Sequence, residues 1–190
     1  MTIAPVIRTR AQGGGLLRAA GLAVVGSGLL ALSAKMQVPF WPVPMTMQSL
    51  VVLLIGLAYG SRLGVAPVLA YLAVGRAGLR VFAGASAGAA YLAGPTGGYL
   101  AGFVLSAAWM GWLGERGWGR GLGRTSAAMA SGHVLLFVPG VAWLAVLFGW
   151  QRAVAFGVAP FVAGTVVKTA LGVALVAACW SVAGRRTARG

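Results

Sequence analysis

The chain contains no aspartate and only one glutamate, Glu115, against fifteen lysines and arginines. With one acid in 190 residues, a cation placed in its interior has almost no carboxylate to meet. Cysteine is nearly absent too. Cys179 stands alone, which excludes an intrachain disulfide and any cysteine-built metal cage. His133 is the single histidine, so no metal-binding cluster is spelled out and any hydrolytic chemistry has one candidate base. Charged residues make up only 8% of the chain. Soluble domains carry about a quarter, so this composition excludes one.

What is present is apolar. Hydrophobic residues reach 59% and the mean hydropathy is +0.90, which indicates an all-α integral membrane protein lying in the lipid bilayer. The formal net charge of +14 does not point to nucleic acid, because the basic residues are spread among short connectors and form no basic face.

Six apolar segments are expected as transmembrane helices: Leu16–Ala34, Met45–Tyr59, Leu63–Val74, Thr96–Leu113, Ser126–Phe148 and Ala155–Trp180. The second and third fall short of the roughly 20 residues that a perpendicular span needs. Reading Ser49–Val74 as one broken helix would give five spans. The distribution of charge favours six. With both termini cytoplasmic, Arg62, Arg116, Arg120, Arg124 and the arginines of both tails lie inside, against Lys35, Arg76, Arg80 and Arg152 outside. The expected layout is a basic tail at 1–15, a membrane domain at 16–183 and a basic tail at 184–190. Residues 16–34 have a basic start and an Ala-Leu-Ser-Ala end, but the apolar run is longer than a signal peptide's and is read as a retained helix. Ala19 and Ala23 form a small-xxx-small pair on it, and Gly94, Gly98 and Gly102 form a ladder where another helix can pack closely.

The connectors on the outer side are long. One is proline-rich, from Met36 to Pro44, and holds Phe40-Trp41, readable as an aromatic lid or as an interfacial anchor. Another, from Gly75 to about Pro95, is rich in Gly and Ala. Irregular backbone at membrane depth persists only where it is buried in protein or lines a cavity.

Lys168 lies near the middle of the last apolar run. An intramembrane cation is costly unless neutralised and marks a functional site by default. Glu115, expected in a basic loop far from any apolar core, does not supply the counter-charge. The natural partner is then an anionic group on a small ligand, with snorkelling or a neutral lysine as the bland alternatives. Gln48 can donate and accept hydrogen bonds, as a cyclic urea or amide requires, or can cap a helix. Gly84-Ala85-Ser86-Ala87-Gly88 fits G-x-S-x-G, but a Gly/Ala-rich loop produces that pattern by chance, and a Ser86–His133 dyad would need both side chains within reach. No Walker motif is present, so an ATPase would have to be a separate subunit.

Three stretches then come together: Pro42-Val43-Pro44-Met45-Thr46-Met47-Gln48, Val81-Phe82-Ala83-Gly84, and Gly94-Pro95-Thr96-Gly97-Gly98-Tyr99-Leu100-Ala101-Gly102-Phe103. In order and spacing the chain resembles the BioY family, the biotin-binding S components of energy-coupling factor (ECF) transporters, from about Leu16 to Trp180. The resemblance implies six helices binding biotin near the outer face under the first and third connectors. It also implies a transmembrane T subunit and a pair of ATPases as partners, with Ala19 and Ala23 at the T-subunit contact.

Where the family usually has Pro-Phe-x-x-Gly-Asp-x-x-Lys, this chain reads Pro160-Phe161-Val162-Ala163-Gly164-Thr165-Val166-Val167-Lys168. The lysine matches; Thr165 replaces the acid. Arg80 also stands where proline is common. The expected function is biotin uptake across the cytoplasmic membrane, without cofactor and without enzymatic activity. Lys168 would meet the carboxylate, Gln48, Thr96, Tyr99 and Thr165 would make polar contacts, and Trp41 and Phe82 would cover the ring and chain. Another small carboxylate or vitamin as ligand, or a membrane assembly protein that transports nothing, remain alternatives, and homo-oligomerisation is left open.

Overall fold

The computed structural model describes residues 15–84 and 86–187. The tails before 15 and after 187, with Arg8, Arg10 and Arg189, lie outside the described residues. The elements are α1 (Gly15–Lys35), β1 (Gln37–Val38), β2 (Met45–Thr46), α2 (Gln48–Tyr59), α3 (Ser61–Arg76), α4 (Ala89–Ala93), α5 (Gly97–Glu115), α6 (Leu122–Phe148), α7 (Trp150–Gly157) and α8 (Phe161–Thr187). Three of them, over Leu16–Lys35, Leu122–Phe148 and Phe161–Val182, are long and apolar enough to cross a membrane. Their outward faces carry large aliphatic side chains, with Leu16 88% and Val146 77% exposed. Water would penalise such a surface, whereas lipid matches it. The molecule is an integral membrane protein.

Two boundaries differ from expectation. The last apolar segment, drawn as Ala155–Trp180, is two helices, because Pro160 has no N–H to continue the ladder of α7. The turn closes instead with Phe161 N–H donating to Val158 O at 2.9 Å, and α8 starts there. The Gly/Ala-rich connector is shorter than expected, since α3 runs on to Arg76 and α4 interrupts the remainder.

Helices α2 and α3 double back on one another rather than forming one broken rod. Gly60 alone joins them, at φ +85°, a conformation that side chains avoid. Gln48 at the start of α2 and Tyr71 late in α3, both far from Gly60, hydrogen-bond each other at 2.7 Å. Glu115 completes this corner. It is the last residue of α5, not a loop residue, and its Oε1 accepts from Ser61 N and Ser61 Oγ, both at 3.0 Å. The lone acid therefore caps the first turn of α3, where N–H groups lack partners and the helix dipole favours negative charge.

Helix α5 is the hub, and its glycines explain why. A Cβ at Gly98 would run into Pro139 O and one at Gly102 into Leu136 O, so this face lets α6 approach to backbone contact. Farther along, Gly111 abuts Gly60 and Ser61, and Gly114 abuts Leu57 O. The sequence ladder holds for Gly98 and Gly102. Gly94 does not belong to it, because its nearest neighbour is Tyr91 O of its own turn, at 3.3 Å. Overpacking typically costs about 1–3 kcal/mol, and here rigid backbone blocks the way. Gly102→Leu is therefore expected to lower the thermal midpoint in detergent markedly. Gly28→Leu, on α1 with nothing within 4 Å of its Cβ position, should leave it nearly unchanged.

Candidate functional site

Three connectors gather at one end of the bundle, and their contacts fix how. The first (36–47) folds into the β1–β2 ribbon, pairing Gln37 with Thr46 and Val38 with Met45. Its aromatic tip leans on the third connector region, with Phe40 against Phe161 (ring centroids 6.2 Å apart) and Trp41 against Phe148 and Phe156 (6.0 and 6.1 Å). The second connector (77–96) is tied to the end of α1 by Lys35. Its Nζ donates to the carbonyl oxygens of Arg80 (2.9 Å), Phe82 (2.9 Å) and Gly84 (2.6 Å). Phe82 then plugs the loop onto the bundle. It is fully buried, packs against Gly75, stacks on Tyr91 at 4.8 Å and meets Tyr71 edge-on at 5.4 Å.

Beneath these connectors lies a cavity of about 50 Å³. Its walls come from β2 and α2 (Thr46, Gln48, Ser49), from the second connector and α5 (Ala83, Tyr91, Thr96, Tyr99, Phe103), from α6 (His133, Phe137) and from α8 (Phe161, Thr165, Lys168). On this measure one water needs about 10–15 Å³, so the space suits a few waters. A larger molecule requires the connectors to move outward.

Lys168 is 7% exposed and is the cation of this cavity. Its ammonium donates to Thr46 O at 2.7 Å and Ser49 Oγ at 3.2 Å. An ammonium has three N–H donors, so one is left over. No carboxylate lines the cavity, because Glu115 is committed to α3. An ammonium held by neutral dipoles, with a donor to spare, has the chemistry to receive an anion.

The other expected side chains divide. Gln48, Thr96, Tyr99 and Thr165 all line this cavity. Gln48 is partly engaged, with Nε2 donating to Tyr71 and Oε1 accepting from Thr46 Oγ1 at 3.2 Å. Tyr71 donates in turn to Val81 O at 3.3 Å, so this relay braces the second connector. The Tyr99 hydroxyl donates to Gly157 O at 2.7 Å, leaving its ring as the wall. Trp41 and Phe82 do not reach the cavity: Trp41 is 73% exposed on the outer aromatic cluster, and Phe82 serves as the plug. Ala19 and Ala23 are half-buried on α1. Burial raises the Tyr91 phenol above its usual value, which keeps it a neutral hydroxyl in the cavity wall.

Sequence reasoning weighed His133 only as a candidate base, although the rule that singled out Lys168 applies equally to the one histidine of an apolar run. Ser49, Phe137 and Tyr91 carried no signal of their own. The Ser86–His133 dyad is not assembled. Ser86 lines a separate recess under the connectors, and the polar neighbours of the His133 ring are Met129 O and Thr169 Oγ1.

The BioY family model matches residues 7–185. The chain belongs to the BioY family. Among similar BioY proteins, the probable biotin transporter BioY of Pyrococcus horikoshii is 37% identical over 145 residues, covering 76% of this chain and 85% of that protein. The biotin transporter BioY of Rhizobium etli is 38% identical over 153 residues, 76% and 80% of the two chains. The fold also matches the crystal structure of the S-component for biotin from an ECF-type ABC transporter, with TM-score 0.74 and 22% identity, over 84% of this chain and 89% of that one. The BioY family is one of transporters, not of enzymes.

In this BioY chain the Lys35 cage makes the second connector depend on the end of α1. Lys35→Met removes three charge-assisted hydrogen bonds at once. Amide hydrogen exchange at residues 80–84 is expected to accelerate about tenfold or more, equivalent to roughly 1.4 kcal/mol. Exchange within α5 should stay as it is.

Proposed function

We propose that this chain takes up biotin across the cell membrane as the substrate-binding S component of an ECF transporter. The observation that carries the reading is Lys168, buried, without a protein carboxylate, with a donor to spare in a cavity beneath the connectors. Biotin supplies what that site lacks. Its valerate carboxylate meets the ammonium, its apolar bicycle fits against Tyr99, Phe137 and Phe161, and its urea meets the remaining polar groups.

In this reading α1, α2, α3, α5, α6 and α8 are six membrane crossings within a single domain at 16–183, with both termini cytoplasmic. The charge bias supports that orientation, and the cavity then opens outward. The connectors act as gates that part for biotin and close over it. The chain carries no nucleotide-binding motif, so a T subunit and an ATPase pair supply the energy, with Ala19 and Ala23 on α1 as the small-residue surface for the T subunit.

Thr165 favours one second reading, in which the ligand is another small carboxylate or vitamin. Equilibrium binding of labelled biotin to the detergent-solubilised protein, with unlabelled vitamins as competitors, separates the two. Biotin is expected to bind and to be displaced best by itself. Lys168→Ala is expected to weaken binding at least about thirtyfold, since losing one partner of a buried charge pair costs about 2–5 kcal/mol. Biotin binding that is absent in a well-folded wild type, or unchanged in Lys168→Ala, contradicts the reading.

A further inference from the structure

His133 lies on α6 in the wall of the Lys168 cavity and is 2% exposed. Its Nδ1 lies 3.0 Å from Met129 O and 3.2 Å from Thr169 Oγ1. A backbone carbonyl can only accept, so Nδ1 carries the proton and donates to Met129 O. That fixes the tautomer and leaves Nε2 as a bare lone pair. Among the described residues, Nε2 is the one buried side-chain nitrogen or oxygen without a hydrogen-bond partner. Thr169 and His133 also line the outer groove between α6 and α8, so the ring sits in the wall that separates groove from cavity. Among the described residues, the free nitrogen is an enclosed acceptor that no protein group satisfies, carried by a residue of the cavity wall.

The cavity has few strong acceptors beside the hydroxyls of Ser49, Tyr91, Thr96 and Thr165. No carboxylate lines it, the Gln48 amide oxygen already accepts from Thr46, and the Tyr99 hydroxyl is turned to Gly157. A ligand with N–H groups must find acceptors here, because an unsatisfied buried donor costs about 1–3 kcal/mol. A cyclic urea brings two such N–H groups beside its carbonyl. We propose that His133 Nε2 accepts a hydrogen bond from a urea N–H of the bound ligand, making His133 the residue that selects for an unsubstituted urea. This rests on the biotin reading and extends it: Lys168 recognises the acid end of the ligand and His133 the urea end.

The test is a binding comparison of two probes, biotin and a biotin methylated on its urea nitrogens, with wild type, His133→Phe and His133→Gln in detergent. Wild type is expected to prefer biotin by tenfold or more. In His133→Phe biotin affinity should fall by about that factor, and the preference should collapse toward one. His133→Gln, which keeps an acceptor, should retain part of it. A merely structural histidine would weaken both probes alike, so a preference preserved in folded His133→Phe overturns the proposal while leaving biotin binding intact. Should His133→Phe fail to fold, His133→Gln and the wild-type preference decide, and equal wild-type affinity for the two probes overturns it. Wild type that is folded and binds neither probe overturns the biotin reading and this proposal together.

Discussion

A lysine ammonium held inside an apolar bundle with no protein carboxylate in reach is the constraint around which the rest is arranged. A full charge at that depth must be solvated by something. Here Thr46 O at the end of β2 and Ser49 Oγ in the first turn of α2 do part of that. Lys168 on the last helix is thereby bonded to the end of the first connector, more than a hundred residues away in sequence. The same contact that solvates the charge draws the lid onto the cavity. A carboxylate arriving there competes for the third N–H without displacing the first two, so binding and closure can reinforce each other.

The lid has its own supports, which share one chemistry. Lys35 uses three backbone carbonyls of the second connector as a cage, and the Thr46–Gln48–Tyr71–Val81 relay joins both connectors to the α2–α3 hairpin. With one acid in the chain, these two lysines are satisfied by backbone and hydroxyl dipoles. Such bonds are weaker individually than ion pairs and can be remade in a second arrangement, as the proposed gating requires. Glu115 is kept for a task at the opposite end of α5, where it caps α3 and holds the tight Gly60 corner. The stiff part of the molecule is the α5 crossing with α6 and with the α2–α3 hairpin, where glycines bring backbones into contact. The connectors are braced on that frame and are not part of it.

Much of this was legible in the sequence because membrane helices announce themselves through long apolar runs, and because charge is so rare that each charged residue stands out. Helices α1, α5 and α6 fall within a few residues of the expected segments. The break before α8 was legible only as a proline, since residues 155–157 are apolar enough to read as one run with α8. Lys168 was singled out by its cost, and Gln48, Thr96, Tyr99 and Thr165 by their motifs; all five line the cavity. His133 escaped because a lone histidine in a helix looks like packing until its neighbours show which nitrogen is used. Trp41 and Phe82 were drawn to the ligand by their aromatic character. Sequence gives no direction to a side chain on an irregular connector, and the geometry turns one outward and makes the other a plug.

The most direct test of the central claim is a competition measurement on the unmodified protein, biotin against its uncharged primary amide at neutral pH. The two share shape and urea and differ in the charge presented to Lys168. If the buried ammonium awaits a carboxylate, the amide should compete at least about thirtyfold more weakly, a difference of roughly 2 kcal/mol. Equal competition by acid and amide would mean that the lysine's charge is satisfied by the protein alone, and that its place in the cavity is structural.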